Sequence, residues 1–589
     1  MIGFGIFGSL LFLIMLAVLE LNKNTILGFV LLLVATVGFA MLFIKVLHGG
    51  KWYWKVLGWL GWIGAFALIL LLTWPPVKRV PAYKGSTPTY TEIVSLEKGD
   101  VRGVVIDEGR VELFAGIPYA KPPVGDLRWR EPQDPEPWDG VLNADHFAPM
   151  CMQPVETPIY SSLKQIIGYH DYQISLSDNY RPAVSEDGLY VNVWKPAGKV
   201  EGLPVLVYVH GGTLQTGQPW YGDYAGTGLA REGVVVVNLG YRLGVFGYLA
   251  DEGLKAESEH GTTGNYGLLD QIKALEWVQR NVAAFGGDPN NVTLAGESAG
   301  AASVSALCTS QRASGLFQRV LLESSTVASI EPPHSFRSYD DAITSGNELK
   351  ARYGVKTPEE LRALDAETIV NEAYTQHYMT VDGYALTETP YESYKKGVHN
   401  EQTILHGYNS EESGPFLILG NASMKNYEQK VRAYFMEYAD DVLKIYAPTT
   451  DAEAKDMWAQ IYGAVFFNYS HYCLNRLAAE NGIPVWEYYF SRHNGRLGPW
   501  HSGEMIYVYG NLPKGSRLFN ETDYALEKNI TGYVLNFMKT GDPNGDGLPA
   551  WETNTGSTRL MEFGDRTEMI DEKYLALYEV MDRMAGWKE

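Results

Sequence analysis

The hydrophobic pattern of the chain changes near residue 80. Before that point, three stretches carry no charged side chain: residues 1–19, 24–44 and 56–77. An apolar helix of about 20 residues is long enough to cross the hydrocarbon core of a bilayer, about 30 Å thick. The pattern therefore predicts a membrane anchor over residues 1–80. Its three transmembrane helices are expected at about residues 2–20, 25–45 and 56–76.

Two other interpretations exist for these stretches. A signal peptide would explain the first, but no Lys or Arg precedes it and two more apolar stretches follow. Buried helices of a globular core would explain any one of them, and three in succession are less expected. Aromatic residues near the ends of the third stretch favour the headgroup layer of a bilayer. They are Trp52, Tyr53, Trp54, Trp59, Trp62 and Trp74.

Three spans would place the rest of the chain on the side of the membrane opposite to the N-terminus. Basic residues flank both ends of the spans, so the positive-inside rule does not fix the orientation. We expect a multi-pass membrane protein whose large C-terminal part is extracellular. Residues 81–91 are predicted to be an extended linker, because Pro, Lys and Gly in and before this stretch disfavour a helix.

Beyond the linker, short apolar runs alternate with amphipathic segments. Val205–Val209 and the run from Val234 are rich in Val and flanked by glycines, which is typical of strands buried on both faces of a parallel sheet. In Leu268–Val282, apolar residues recur every three or four positions, which indicates a helix. Further strands are predicted in "RVLLESS", "QTILHGYN" and "PVWEYYFS". Residues 92–589 are therefore predicted to form an α/β fold, a large mostly parallel sheet flanked by helices.

Charge and cysteine content narrow the range of functions. The 589 residues include 48 Lys and Arg against 69 Asp and Glu, a formal charge of -21 at pH 7. We therefore expect no nucleic-acid partner. Cys151, Cys308 and Cys473 are too few and too widely spaced for a disulfide framework or a zinc site.

Ser298 lies in the stretch "NVTLAGESAG", which has the spacing G-x-S-x-G. That spacing alone is weak evidence, since any glycine-rich turn with a serine can show it. The context is more specific, because "NVTLAG" is a predicted strand and "ESAGAASVSALC" a predicted helix of small residues. A nucleophile elbow places its serine at such a turn from strand to helix. Ser298 is therefore a candidate nucleophile.

A serine nucleophile needs a base, usually an imidazole, which a carboxylate orients. Seven histidines follow Ser298: His334, His377, His399, His406, His471, His493 and His501. His501 is the best candidate, because it lies in a loop with Gly and Pro after a predicted strand. Glu411 and Glu412 follow another strand, and their local sequence does not separate them as the orienting acid.

Backbone amides that stabilise an oxyanion are expected in a turn of small residues after a strand. Gly211, Gly212 and Thr213 follow the run that ends at Val209. An ordinary glycine turn would give the same local sequence. Ala299 would add an amide at the start of the helix that follows Ser298.

Several motifs together resemble those of the type B carboxylesterase, or cholinesterase-like, family of α/β-hydrolases. In family order they are "FAGIPYAKPPVGDLRWREPQ", "SEDGLYVNVWKP", "VYVHGGTLQTG", "YRLGVFGYL", "GNYGLLDQIKALEWVQRNVAAFGGDPNNVTLAGESAGA" and "WHSGEMIYVYGN". The resemblance implies an α/β-hydrolase fold, here preceded by three transmembrane helices. It also implies a serine carboxylesterase that acts on small carboxylic esters without a metal or an organic cofactor.

The resemblance implies a catalytic triad of Ser298 as nucleophile, His501 as general base and Glu412 as acid. It separates the two neighbouring carboxylates, because the family has a pattern of Gly, any residue, Asn, any residue, acidic residue, Glu. That pattern matches Gly407, Asn409, Glu411 and Glu412.

Other family positions surround the triad. Gly212, Thr213 and Ala299 match the donors of the oxyanion hole. Thr213 replaces the usual Gly or Ala, which adds a methyl and a hydroxyl there. Glu297 and Ser324 are expected beside the triad.

Two further features depart from the pattern. Gly188 stands where the family commonly has a cysteine paired with one similar to Cys151, so that disulfide cannot form. This points to bacterial relatives of the p-nitrobenzyl esterase kind. No tryptophan lies between Cys151 and Ser185, where cholinesterases have their choline-binding tryptophan. A cholinesterase is therefore not expected.

Two other functions stay open. A lipase or amidase at the membrane surface would use the same triad, and the sequence does not fix the length of the acyl group. A non-catalytic adhesion or binding protein is the alternative from another class. The intact set of Ser, Glu and His argues against it.

Overall fold

The computed structural model describes the chain outside a few short gaps, over residues 2–167, 174, 176, 179–372, 377–418, 420–495, 497–555 and 557–587. The chain forms two compact units. The N-terminal unit comprises Met1–Val80 together with Val155–Ala183. The sheet unit comprises Pro81–Pro154 and Val184–Glu589. The chain therefore passes between the two units three times.

Strands and helices alternate through the sheet unit, which confirms the α/β prediction. The strands of both units are β1 Val77–Lys78, β2 Tyr90–Leu96, β3 Gly99–Ile106, β4 Val111–Pro118, β5 Val141–Asn143, β6 Met150–Cys151, β7 Arg181–Pro182, β8 Val184–Ser185, β9 Tyr190–Pro196, β10 Leu203–Val209, β11 Val235–Leu239, β12 Gly287–Glu297, β13 Arg319–Glu323, β14 Thr403–Asn409, β15 Val485–Phe490, β16 Arg559–Phe563 and β17 Thr567–Asp571. The helices are α1 Ile2–Leu21, α2 Ile26–Leu42, α3 Trp52–Leu72, α4 Pro158–Ile167, α5 Thr227–Arg231, α6 Gly244–Tyr248, α7 Glu252–Glu257, α8 Tyr266–Asn281, α9 Ala299–Leu307, α10 Tyr339–Tyr353, α11 Pro358–Arg362, α12 Ala366–Glu372, α13 Pro390–Lys395, α14 Tyr427–Phe435, α15 Ala439–Ile445, α16 Asp451–Gly463, α17 Tyr469–Glu480, α18 Met505–Val508, α19 Glu521–Thr540 and α20 Leu575–Met584.

The main sheet runs in the order β17-β16-β15-β14-β13-β12-β10-β11-β9-β4-β3-β2, and β5 pairs with β3. Neighbouring strands from β11 to β16 are parallel, whereas β9, β4, β3, β2 and β17 form the antiparallel ends. Parallel strands end at the same edge of a sheet, where α/β proteins bind their ligands. Each predicted site residue lies at the end of β10, β12, β13, β14 or β15 or in the loop that follows it, except Ala299, which begins α9.

The predicted elements have slightly different bounds in the structure. Helix α8 covers nearly the whole stretch in which apolar residues recur, and it packs against β11 and β12. The turn predicted at "FGGDPNN" is partly strand, because β12 already begins at Gly287, which pairs with Leu203 of β10. A shift in register separates this pair from the regular ladder that starts at Val292.

The N-terminal 80 residues contain α1, α2 and α3, and α2 continues into a π-helical turn, Phe43–Leu47. Two helical stretches, Ile26–Leu47 and Trp52–Leu72, are long and apolar enough to cross a membrane, and the apolar stretch Gly5–Leu21 is shorter. The third helix lies earlier than the predicted residues 56–76. It ends at Leu72 because Pro75 follows three residues later.

Polar side chains are buried inside the N-terminal unit. Asn24 has no exposed surface. Its Nδ2 donates to the carbonyl oxygen of Leu70 (2.8 Å) and to Oγ1 of Thr73 (2.9 Å), while its Oδ1 accepts from Nδ2 of Asn22 (2.7 Å). These hydrogen bonds tie together the end of α1, the start of α2 and the end of α3.

The second part of the N-terminal unit, Val155–Ala183, comes from the middle of the sequence. Its helix α4 packs against α1, and its strand β7 pairs in parallel with β1. Nδ2 of Asn179 donates to the carbonyl oxygen of Asn24 at 2.5 Å. The domain predicted over residues 92–589 includes this segment, whereas the structure groups it with the N-terminal helices.

Candidate active site

Ser298 lies at the turn between β12 and α9. Its φ of 56° and ψ of -126° are rarely adopted by a residue that has a Cβ. Backbone hydrogen bonds hold this conformation, since Ser298 N donates to the carbonyl oxygen of Glu323 (2.8 Å) and Ala302 N donates to that of Ser298 (2.9 Å). A strained serine at the end of a strand and the start of a helix has the geometry of a nucleophile elbow.

The flanking glycines make this turn sterically feasible. A Cβ on Gly296 would lie 2.6 Å from the carbonyl carbon of Gly300, and one on Gly300 would lie 2.1 Å from the carbonyl oxygen of Val209. Real Cβ atoms do not approach other atoms so closely, so helix α9 can approach β10 and β12 only because both positions are glycine. The G-x-S-x-G spacing therefore has a structural cause here.

His501 and Glu412 form a hydrogen-bonded pair. The imidazole Nδ1 lies 2.6 Å from Oε2 of Glu412, and the other carboxylate oxygen accepts from the amide of Asn409 at 2.7 Å. The side chain of Glu412 has no exposed surface. Glu411 is exposed, so Glu412 is the neighbour of the two that contacts His501.

The other imidazole nitrogen faces a second carboxylate. Nε2 of His501 lies 3.3 Å from Oε1 of Glu297, the residue directly before Ser298. Ser502 donates a hydrogen bond from its Oγ to the same oxygen at 2.6 Å. The imidazole of His501 therefore lies between the carboxylates of Glu412 and Glu297, next to the turn that carries Ser298.

This environment changes the protonation equilibria of the site. Burial alone would lower the pKa of His501, but the charges of Glu297 and Glu412 outweigh it and raise that pKa to about 9. Burial also raises the pKa of Glu297, against the effect of the charge on His501. The carboxylates therefore stabilise a positive charge on the imidazole.

The glycine loop after β10 lies against the elbow. A Cβ on Gly211 would be 3.1 Å from Cβ of Ser298. Gly212 and Thr213 both have positive φ values, 105° and 58°. Oγ1 of Thr213 donates to the carbonyl oxygen of Gly212 at 2.7 Å, so the hydroxyl is held by its own loop. Ala299 is the first residue of α9, next to this loop.

Ser324 belongs to a buried polar group that includes Glu504, which the sequence analysis missed. Oγ of Ser324 donates to Oε1 of Glu504 at 3.0 Å, and Nδ2 of Asn409 donates to Oε2. Burial and the charges of Glu412 and Glu297 raise the pKa of Glu504 to about 8. Its position three residues after His501 is the one sequence feature that could have indicated a place near the site. That spacing alone does not show that the side chain of Glu504 points inward.

Aromatic rings cover His501. The ring centroids of Phe467 and Phe416 lie 4.6 Å and 5.3 Å from that of the imidazole, and the two phenyl rings stack at 5.4 Å. Phe416 is also 42% exposed, so it forms part of the rim of the site. Neither residue was identified from the sequence. Phe416 follows Glu412 by four residues, whereas Phe467 lies in a π-helical turn with no sequence signal.

The other histidines that follow Ser298 have different surroundings. His406 and His471 form a buried pair with 2.7 Å between their Nδ1 atoms, and His493 is exposed. In the described part of the chain, no group of three His, Cys, Asp or Glu side chains is arranged to hold a metal ion.

Gly188 occupies the position opposite Cys151. A Cβ on Gly188 would lie 2.6 Å from Sγ of Cys151, and that sulfur is a buried free thiol. Any residue larger than glycine at position 188 would therefore require the backbone around Cys151 to move.

Comparison with known proteins extends these observations. The chain matches the model of the carboxylesterase family over residues 90–578. A fumonisin B1 esterase of Sphingopyxis macrogoltabida is 33% identical over 496 residues, which cover 80% of this chain and 86% of that protein. A para-nitrobenzyl esterase of Bacillus subtilis (strain 168) is 32% identical over 497 residues, which cover 80% of this chain and 95% of that protein.

A solved structure shows the same fold. The crystal structure of a carboxylesterase of Geobacillus stearothermophilus matches with a TM-score of 0.70 and 30% identity, and the match covers 84% of this chain and 100% of the other. Together with the strand order and the elbow, this match confirms the α/β-hydrolase fold. The chain belongs to the carboxylesterase family, and it is a carboxylic ester hydrolase.

Proposed function

We propose that Ser298, His501 and Glu412 are the catalytic triad of this esterase. Oγ of Ser298 attacks the ester carbonyl while Nε2 of His501 takes the proton, and Glu412 stabilises the resulting imidazolium. The imidazolium then protonates the leaving alcohol, and water hydrolyses the acyl-enzyme with the same imidazole as base. The 2.6 Å contact of His501 with Glu412, beside a serine in a strained elbow, is the observation that carries this proposal.

The amides of Gly212, Thr213 and Ala299 are proposed to stabilise the oxyanion of the tetrahedral intermediate. The closeness of Gly211 to Ser298, which a Cβ on Gly211 would approach to 3.1 Å, supports this role. The amide of Ala299 is at the N-terminus of α9, where the helix dipole favours a negative charge.

The proposed substrates are carboxylic esters with an apolar group. Phe416 and Phe467 support this choice, because they form an aromatic wall over His501. A series of p-nitrophenyl esters of increasing acyl length tests it. We expect kcat/KM to rise from acetate to a longer acyl chain in the parent protein, and Phe416→Ala to reduce that rise.

The N-terminal unit is proposed to be a multi-pass membrane anchor in which α1, α2 and α3 all cross the bilayer, with the sheet unit on the extracellular side. The large apolar side chains exposed on all three helices support it, among them Leu13, Leu33 and Leu60. Helix α1 has 20 residues, a length that also suits a span. Protection of each helix from an aqueous thiol reagent, after introduction of single cysteines, tests the number of spans.

The proposed nucleophile is tested by Ser298→Ala in the full-length protein. We expect turnover of a short-chain aryl ester to fall to the background of the assay while the folded structure persists. Ser314→Ala, at an exposed serine, is the matched control and should keep the parent rate. Parental activity in the Ser298→Ala protein would overturn the assignment.

A further inference from the structure

Helix α4 exposes apolar side chains on one face. Tyr160, Leu163 and Ile166 are 55%, 41% and 46% exposed. A spacing of three residues puts them on the same side of the helix. Ser162, at the edge of this face one turn before Ile166, is only 2% exposed. A helix on a water-soluble surface normally buries its apolar side chains, so the distribution in α4 is reversed.

Several contacts hold the segment of α4 to the three N-terminal helices. α4 packs against α1, and β7 pairs with β1 shortly after the end of α3. Nε of Arg181 donates to the carbonyl oxygen of Pro75 at 3.3 Å, and Asn179 donates to the loop between α1 and α2. The segment is therefore attached to the end of the unit where α3 leaves the proposed bilayer.

We infer that α4 lies in the headgroup layer of the bilayer and that Tyr160, Leu163 and Ile166 contact lipid. This inference rests on the proposal that the N-terminal helices span the membrane. The neighbour of α4 supports this position, because α1, on which it packs, also exposes large apolar side chains such as Leu10 and Leu13.

The length and composition of α4 fit an interfacial position. Its 10 residues extend about 15 Å, which is too short to cross a bilayer. Tyr160 has an apolar ring with a polar tip, which suits the boundary between lipid and water. Lys164, one turn after Tyr160, has its Nζ 5.7 Å from the centre of that ring and pairs with Glu156 at 2.8 Å, a charged group that suits the headgroup layer. The enzyme thus contacts its membrane through a segment that lies between two parts of the catalytic chain.

The inference is tested by fluorescence quenching in phosphatidylcholine nanodiscs that contain the full-length protein. Leu163→Cys is labelled with an environment-sensitive fluorophore, and a phospholipid with a nitroxide on its acyl chain is the quencher. The three native cysteines are buried, so the introduced thiol reacts selectively. Leu163 is exposed, so its replacement leaves the folded core intact.

Three further positions serve as references. Leu33→Cys, on the exposed face of α2, reports on the proposed membrane span itself. Ser161→Cys lies on α4 but away from its apolar face, and Ala452→Cys lies on the exposed surface of α16 in the sheet unit. We expect quenching at position 163 of at least half that at position 33, and little at positions 161 and 452.

Each other result contradicts the inference in a distinguishable way. Quenching at position 33 but not at position 163 would overturn the interfacial helix and leave the membrane anchor standing. No quenching at either position would overturn the anchor and the inference with it. A blue shift at position 163 without quenching, present only in discs with two copies of the protein, would assign the face to a second copy instead of lipid.

Discussion

The sheet unit and the N-terminal unit each bury a polar cluster, and the two clusters differ in charge. In the sheet unit, His501 lies between the carboxyl groups of Glu412 and Glu297. In the N-terminal unit, Asn24 and Thr73 are 0% and 2% exposed and neither can ionise. Neutral groups that satisfy each other with hydrogen bonds are stable when buried, whereas neighbouring carboxylates destabilise each other.

This difference indicates what each cluster contributes. The carboxyl groups around His501 raise its pKa and that of Glu504, an arrangement that costs stability and favours the positive imidazole of the proposed mechanism. The amides and hydroxyls around Asn24 join three helices and stabilise their ends. Substitutions should therefore separate the two: those in the first cluster reduce the rate, and those in the second reduce stability.

The largest effect is expected for Glu412→Gln. Loss of the carboxylate removes the group that orients His501 and stabilises its imidazolium, so kcat should fall on the order of 10³-fold or more. Glu411→Gln is the matched control, because Glu411 is exposed and its replacement should lower kcat only slightly. Steady-state kinetics on one aryl ester compare the two variants. A larger loss for Glu411→Gln would show that the acid was assigned to the wrong neighbour.

A third buried cluster, the pair of His406 and His471, is expected to make the sheet unit sensitive to acid. Burial lowers the pKa of His406 to about 4, and burial and the neighbouring His406 hold the pKa of His471 well below its usual value. Below about pH 6.5 these two histidines bind protons in the unfolded chain but stay neutral in the folded chain. The free energy of unfolding therefore falls as the pH drops from about 6.5 towards 4. For His406 alone the loss reaches about 3 kcal/mol.

Urea unfolding at pH 7.5 and pH 5 measures this loss. His406→Gln should reduce the dependence on pH, and His493→Gln, at an exposed position, should leave it unchanged. Equal stability of the parent protein at the two pH values would contradict the expected effect of the buried pair.

In the N-terminal cluster, Asn24→Ala is expected to lower stability without lowering the rate. The substitution removes the donor to Oγ1 of Thr73, whose hydroxyl still donates to the carbonyl oxygen of Ile69, and the acceptor of Nδ2 of Asn22, at a cost of about 1–3 kcal/mol. Thermal unfolding in nanodiscs, followed through the tryptophans of α3, measures the cost. Ser161→Ala is the control at an exposed polar position. A strong fall in kcat at unchanged stability would contradict the separation of the two clusters.

The smallest effect is a shift of the pH profile. His501 must be neutral to act as the proposed base, so kcat/KM should rise with pH. The midpoint of that rise should lie above the usual histidine pKa of about 6.5. Glu297→Gln removes the charge 3.3 Å from Nε2 and should lower the midpoint by about one unit. Glu411→Gln should leave the midpoint of the pH profile unchanged. A midpoint that stays fixed in Glu297→Gln would show that this carboxylate does not tune His501.

The sequence predicted the features that depend on local pattern. The runs around Val205 and Val234 became buried parallel strands, and Ser298 lies at the predicted turn from strand to helix. It did not predict that Val155–Ala183 joins the N-terminal unit, because that contact involves segments more than 100 residues apart whose pairing leaves no local pattern. Glu504 was missed for a related reason, since the direction of its side chain depends on the packing of neighbouring strands.

The most direct test of the proposed triad is the reaction of the full-length protein with a fluorophosphonate probe, followed by mapping of the modified peptide by mass spectrometry. The geometry predicts one modified residue, Ser298, and no modification in Ser298→Ala. Glu412→Gln should react much more slowly, because His501 is then poorly oriented. Modification of a different residue, or none in the folded parent protein, would contradict the assignment of Ser298 as the nucleophile.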